Sequence, residues 1–329
     1  MKFIDLHCDT LMRLYDLENQ PGGTSETLWH NCGQIDLTRL CKSGYTAQFF
    51  ACFLWFEGKP VKDSFYEDAL AMADLLHTAL LQHTDQAAFA GSYQNYLENQ
   101  KHDRLSAFLT VEEGGILDGD LSRLDQLYEK GVRLITLTWN CENCLGYPNF
   151  QFQFQNNGLK AFGVEALRRM DELGIIADVS HLSDGGFWDV VRYGKRPFLA
   201  SHSNARSVMY HARNLTDEMI KAIAEKGGII GLNFGGDFLQ ENGKSTVEAL
   251  VRHARHLLSV GGPEILAIGT DFDGVEDRLE ISDCSKMPDF AQALEKNGFS
   301  VSEIEGICFR NAELFLKRYF GVTVQPCKN

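Results

Sequence analysis

No apolar run in this 329-residue chain approaches the ~20 residues needed to cross a bilayer. Its first residues lack a basic segment followed by an apolar one, so no secretory leader is expected. Proline is scarce, with seven in all, and no low-complexity segment, long charge block or proline-rich linker divides the chain. Positive charge is in the minority: 31 Lys and Arg stand against 45 Asp and Glu, a net charge of −14. Nucleic acids and anionic membranes select basic patches, so neither is an expected partner, and the acidity serves solubility. The nine cysteines are odd in number and show no disulfide-framework spacing. Reduced thiols suit a cytoplasmic location, which is the expectation here. Cys141 and Cys144 are the one close pair, and without a second such pair or nearby histidines they make a poor zinc site. There is no G-x-G-x-x-G and no P-loop to indicate a nucleotide.

What is present is a regular alternation. Strand-like apolar runs begin at Phe3 and recur at 45–56, 105–112, 132–139, 175–179, 197–201, 228–234 and 265–270. Between and after them lie helix-period stretches at 64–84, 92–99, 121–130, 158–173, 183–193, 216–226, 245–260, 288–297 and 302–320. The polar segment 20–33 reads as a loop, and Gly131 and Gly174 stand where C-cap glycines would. Eight strand–helix units over this length predict a (β/α)8 TIM-type barrel with an extra C-terminal helix, as one domain over 1–329. A doubly wound open sheet is the structural rival.

In such a barrel the chemistry sits at the C-terminal ends of the strands. The first run ends in His7 and Asp9, which stand two apart and so point the same way on an extended chain. The others deliver Glu112 and Glu113, His181, His202 and Asp271. Imidazoles and carboxylates in this number exceed what one tetrahedral zinc accepts. They suit two ions sharing a carboxylate, with Glu112 or Glu113 as the bridge. Such a pair can hold a hydroxide between the ions, and Asp271 could move its proton to a leaving amine. Singly, each residue has a plainer reading: a buried histidine satisfied by neighbours, a solvated acidic pair, an aspartate capping a helix. Such residues at five matching strand ends are harder to explain in that way. His77, His83 and His102 read as surface residues without partners. His253 and His256, three apart on a helix, lack an acidic third ligand and read as structural.

The motifs that carry these residues resemble the membrane (renal) dipeptidase family, peptidase family M19, among the amidohydrolase-like metal-dependent hydrolases. They are Asp5-Leu-His-Cys-Asp-Thr10, Val111-Glu-Glu-Gly-Gly115, Gly131-Val-Arg-Leu-Ile-Thr-Leu-Thr138, Asp178-Val-Ser-His181, Ser201-His-Ser203 and Gly269-Thr-Asp-Phe-Asp-Gly274. They occur in the family's order and span nearly the whole chain. The resemblance implies a (β/α)8 fold and a zinc-dependent dipeptidase acting through a hydroxide between two zinc ions. It implies His7 and Asp9 on one ion, His181 and His202 on the other, and Glu112 as the bridge, with Glu113 one residue away. It also implies Asp271 as the catalytic aspartate and Arg213, in His211-Ala-Arg-Asn-Leu215, as the holder of the substrate carboxylate. A guanidinium fork suits that task. One position departs: the family commonly has a histidine where this chain has Trp139, which has one N–H donor and no acceptor. Either Trp139 or its neighbour Asn140 is then expected to contact substrate in its place, or the metal alone stabilises the oxyanion, and the departure keeps open another amide or cyclic-amide hydrolase, or a deaminase, on the same metals. Dipeptide is the expected partner, and a homodimer is expected on base rates alone.

Overall fold

The computed structural model describes residues 1–56, 63–275 and 279–321. Among them are eight parallel strands: β1 (Phe3–Asp5), β2 (Tyr45–Phe53), β3 (Ala87–Phe89), β4 (Leu105–Glu112), β5 (Val132–Thr136), β6 (Ile176–Asp178), β7 (Ile230–Leu232) and β8 (Leu266–Ile268). The helices are α1 (Thr10–Glu18), α2 (Leu37–Ser43), α3 (Asp63–Gln82), α4 (Tyr93–Lys101), α5 (Ser122–Lys130), α6 (Ala161–Leu173), α7 (Asp184–Tyr193), α8 (Asp217–Glu225), α9 (Gly236–Leu239), α10 (Val247–Gly261), α11 (Met287–Lys296), α12 (Val301–Glu305) and α13 (Asn311–Gly321).

The sheet runs β6-β5-β4-β2-β1-β8-β7, with every pairing parallel. Its two ends meet through Leu199 and Ala200, which bridge to Asp178 on one side and Ile230 on the other. Four backbone hydrogen bonds of 2.8–3.2 Å carry this closure, among them Val179 N–H to Leu199 O and Gly231 N–H to Ala200 O. The sixth predicted strand, 197–201, is therefore present as a two-residue rung that completes a TIM-type barrel. β3 went unpredicted; it pairs with the first residues of β4, below the point where β5 joins. The helices α1 and α2 also went unpredicted, and the long C-terminal stretch is broken by a π turn at Gly306–Arg310.

Two hydrophobic layers hold the barrel. Inside it, Ile4, Leu6, Ala47, Phe49, Phe108, Leu134, Ile176, Leu199, Ile229 and Ala267 pack together, with α13 contributing Phe315 and Leu316. Alternate residues of each strand point inward, so Phe49 and Phe108 stack at 4.6 Å within the barrel. The intervening residues, such as Phe50, Leu109, Ile135 and Ile230, belong to the larger layer between sheet and helices. Where β7 and β8 approach the closing rung, side chains have no room: a Cβ at Gly231 or Gly269 would strike the Ser201 carbonyl. The ionisable groups His7, Asp9, Glu112, His181, His202 and Asp271 gather at one end of the barrel, where they are buried.

Candidate metal centre

The C-terminal strand ends carry the polar residues. Past β1 and β8 the two chain segments stay paired, Asp9 N–H donating to Phe272 O at 2.9 Å and Asp271 N–H to His7 O at 3.3 Å. That pairing sets His7, Asp9 and Asp271 side by side. Glu112 is the last residue of β4. His181 follows β6 by three residues in the left-handed region, with φ of 66°, and its carbonyl accepts from Asn149 N–H and the Thr138 hydroxyl. Asp271 has φ of 64°. Non-glycine residues in this region are strained and cluster at functional sites.

Glu112 lies between two groups of ligand atoms. One of its oxygens is 2.8 Å from His7 Nε2, which is 3.4 Å from Asp9 Oδ1 and 3.8 Å from Asp271 Oδ1. Its other oxygen is 3.2 Å from His181 Nε2 and 3.7 Å from His202 Nε2, and those two nitrogens are 3.1 Å apart. Glu113 is turned away. Its carboxylate accepts from the backbone N–H of Gly115 at 2.6 Å and of Trp139 at 2.8 Å, and from the Asn143 amide. Gly274 closes the cluster, since a Cβ there would collide with the Asp9 carboxylate and press on Asp271.

Two histidine rings are fixed from behind. The Ser201 hydroxyl donates to Asp178 at 2.5 Å, so His202 Nδ1, 2.7 Å away, must be the donor to Ser201. His181 Nδ1 is 3.1 Å from Asn140 Oδ1 and donates to it. Both Nε2 atoms are then lone-pair acceptors aimed at each other and at Glu112, an arrangement that calls for a cation between them. The same anchoring recurs on the other side of the barrel. Asp178 accepts from Ser180 N–H and Ser201 N–H, as Asp5 accepts from His7 N–H and Thr270 N–H.

Burial raises the Glu112 and Asp271 carboxyls, the His7 imidazolium only partly countering it. Burial also opposes charge on His7, but Glu112 and Asp9 hold that imidazole well above its ordinary value. Burial and the positive charge of Arg213 and His7 push His181 well below it; His202 is lowered by burial, His7 and Arg213. Both ring nitrogens of His7, Asp9 Oδ1 and Glu112 Oε1 are buried without a well-aligned hydrogen bond, although His7 Nε2 lies within ion-pair range of Glu112 and Asp9. Unpaired buried polar atoms are costly. Mixed imidazole and carboxylate donors with lone pairs converging fit divalent metal ions, and these residues therefore fit a metal centre.

A cavity of about 210 Å³ opens onto the cluster. Asp9, Glu112, His181 and Asp271 lie in its floor, with Phe53, Trp139 and Asn140 among the residues of one wall and Gly235, Gly236 and Phe238 among those of another. The Trp139 indole packs against Phe53 at 5.1 Å and Trp55 at 5.7 Å. Arg213 is buried outside that lining, its guanidinium carbon 5.3 Å from the centre of the Phe238 ring. It donates to Ser203 Oγ and His202 O, while its Nε has no partner. The predicted residues thus converge, with Arg213 one layer behind the others. Sequence reading missed Ser201, which touches His202, Asp178, which accepts from Ser201, and Asn233, which touches His202 and Asp271. Asp178 lies three residues before His181, and Ser201 is adjacent to His202, so their nearness in sequence was the available signal. Among the remaining histidines, His77, His83 and His102 are corrected. His77 is half-buried with Nε2 2.9 Å from Lys130 O, His83 stacks on Trp29 at 3.8 Å, and His102, though exposed, has Nε2 3.1 Å from Glu98 Oε1. His253 is structural, as expected: Ala205 N–H donates to Nδ1 and Nε2 donates to Leu239 O.

Known proteins share both sequence and shape with this one. An uncharacterized dipeptidase of Schizosaccharomyces pombe is 28% identical over 328 residues, 95% of this chain and 76% of that protein. The crystal structure of dipeptidase AC, a metallopeptidase of family M19, is 26% identical with a TM-score of 0.87, covering 98% of this chain and 99% of the other. A metallopeptidase from Rhodobacter sphaeroides, solved with a phosphinate mimic of the dipeptide L-Ala-D-Ala, has the same fold at a TM-score of 0.85 and 24% identity, with 97% and 99% coverage. No helix among the described residues is long and apolar enough to cross a membrane. The model of the membrane dipeptidase family matches residues 1–318, and the chain is a peptide-bond hydrolase belonging to that family, peptidase family M19.

Proposed function

We propose that this chain is a di-zinc dipeptidase in which residues 1–329 act as one barrel domain. The observation that carries the reading is the Glu112 carboxylate, with one oxygen toward His7 and the other toward His181 and His202. His7 and Asp9 would hold one ion, His181 and His202 the other, and Glu112 both. Bound zinc would supply a nucleophile at neutral pH by lowering the pKa of water, and would polarise the scissile carbonyl.

The protein's own groups do the rest. Asp271 takes a proton at Oδ1 and passes it to the leaving amine; burial and the neighbouring Asp9 charge favour its accepting one. Arg213 provides the positive charge for the substrate's terminal carboxylate, which selects dipeptides over longer chains. In support, its Nε is unpaired inside a buried guanidinium. Trp139 and Asn140 form the wall the substrate lies against, and Asn140 also holds His181 in the tautomer that leaves Nε2 free. The cavity, at about 210 Å³, is smaller than the ~300–1,000 Å³ of drug-sized sites, which suits a two-residue substrate.

Elemental analysis should find two zinc per chain, and hydrolysis of a panel of L,L- and L,D-dipeptides should vanish on chelation and return with zinc. Asp271→Asn should keep both ions and lose turnover by about 10²–10⁴-fold. Two ions without cleavage of any dipeptide, or an Asp271→Asn variant near wild-type turnover, would sink this reading.

A further inference from the structure

Asp271 lies at a strained backbone position and has two oxygens, of which only Oδ1 faces His7. A carboxylate turns easily about its terminal bond. Something must therefore decide which oxygen meets the reacting atoms. The other oxygen, Oδ2, accepts a 2.9 Å hydrogen bond from the side-chain amide of Asn233, which is fully buried directly after β7.

The orientation of that amide is fixed by its own partners. Asn233 Oδ1 accepts the Gly235 N–H at 2.6 Å, so its NH2 is the end that faces Asp271. The same NH2 donates to His202 O at 3.3 Å, a carbonyl that also accepts from Arg213 at 3.1 Å. The Asn233 backbone is held in turn. Asn204 donates its amide to Asn233 O at 2.9 Å and accepts from Asn233 N–H at 3.1 Å. Every bond Asn233 makes is thus specified, and one of them ends on Asp271.

We propose that Asn233 is a positioning residue for catalysis: by holding Asp271 Oδ2 it presents Oδ1 to the reacting water and leaving group. The inference rests on the reading of Asp271 as the proton carrier. A rotated or shifted carboxylate loses reaction geometry without losing metal or substrate. A misplacement on the order of 1 Å can cost about 100-fold.

Asn233→Ala removes the donor. Asn233→Asp keeps the acceptor for Gly235 N–H, and so the local fold, while replacing the donor with a second carboxylate. Both are compared with Asp271→Asn and with the double variant Asn233→Ala/Asp271→Asn. The readouts are zinc per chain, melting temperature, and kcat and KM on the best-hydrolysed dipeptide of the panel. The expectation is full zinc in each, kcat down by about 10–100-fold in both Asn233 variants and KM within about threefold. The double variant should be no slower than Asp271→Asn, because Asn233 acts only through Asp271. If the loss from Asn233→Ala instead multiplies in full onto that of Asp271→Asn, or is accompanied by loss of zinc, Asn233 is a general structural residue and the proposal fails. It fails alone if Asp271→Asn is inactive while both Asn233 variants turn over within twofold of wild type. An active Asp271→Asn would bring down the catalytic reading itself.

Discussion

His202, a proposed metal ligand, shows how much such a residue depends on atoms it would not share with the metal. Its Nδ1–H is spent on Ser201, whose own proton is spent on Asp178, so Nε2 is left as a lone pair. Without Ser201 the imidazole could flip tautomer or turn, and buried Asp178 would lose a donor. Ser201→Ala is expected to weaken zinc binding at the His181/His202 pair by about 10–100-fold, measured by competition with a chromogenic chelator. The far-ultraviolet circular dichroism should not change. Affinity equal to wild type at both ions would mean the hydroxyl merely fills space. Glu113 teaches the converse lesson. It is as buried as Glu112 and one residue away, yet its oxygens are occupied by Gly115, Trp139 and Asn143. Adjacent carboxylates at a strand end point to opposite sides, and the one pointing away became scaffold for the Trp139 wall.

Helix α10 illustrates the element scale. It spans Val247–Gly261, opens on a Thr246 cap that accepts from Ala249 N–H, and buries Leu250, Ala254 and Leu257. His253 sits on that buried face and ties the helix to both Ala205, just beyond the closing rung, and Leu239 at the end of α9. Because Nδ1 accepts and Nε2 donates, the ring must be neutral. Burial lowers it to about 4, with Arg252 and His256 adding to the effect against the Leu239 bond. The unfolded chain takes up this proton near pH 6.5 and the native protein only near pH 4. Stability from this group is complete above about pH 6.5 and falls away as pH drops toward 4, by up to about 3 kcal/mol. Urea unfolding at pH 7 and pH 5 should show His253→Gln losing less stability over that interval than wild type does. Equal losses would remove His253 as a cause of acid sensitivity.

At the scale of the whole molecule, the barrel concentrates unfavourable charge. Asp9, Glu112 and Asp271 are buried together, and Arg213 stands one layer behind them. Bound cations would relieve that repulsion and satisfy the orphaned atoms of His7, Asp9 and Glu112. Linkage then makes metal a folding ligand, each ion adding about 2.7 kcal/mol when free zinc is a hundredfold above Kd. Chelated protein is expected to melt several degrees below the zinc-loaded form in scanning calorimetry, with the gap growing as free zinc is raised. A melting temperature indifferent to zinc would show that the cluster is stable by itself.

The alternation of apolar runs and helical stretches was enough to give the barrel, because buried parallel strands must be apolar on both faces and each needs a crossover. Strand ends could be read off the same pattern, and with them His7, Asp9, Glu112, His181, His202 and Asp271. The sixth strand was legible at 197–201, though not its shortening to the Leu199–Ala200 rung. β3 was not legible: it is ordered by the strand it hydrogen-bonds to, and three residues carry no periodicity of their own. The choice between Glu112 and Glu113 was not legible in the strand pattern, and only the family resemblance favoured Glu112. It depends on which way each carboxylate points and on Asn143, thirty residues away, filling one of them. The support from Asn233 to Asp271 lies further still. It links the ends of β7 and β8, and the parallel pairing of those two strands, which are 34 residues apart in the chain, sets the two side chains 2.9 Å apart. Composition and periodicity determined the barrel and which residues reach its rim; hydrogen bonds between distant strand ends decided which of them face one another and in what protonation.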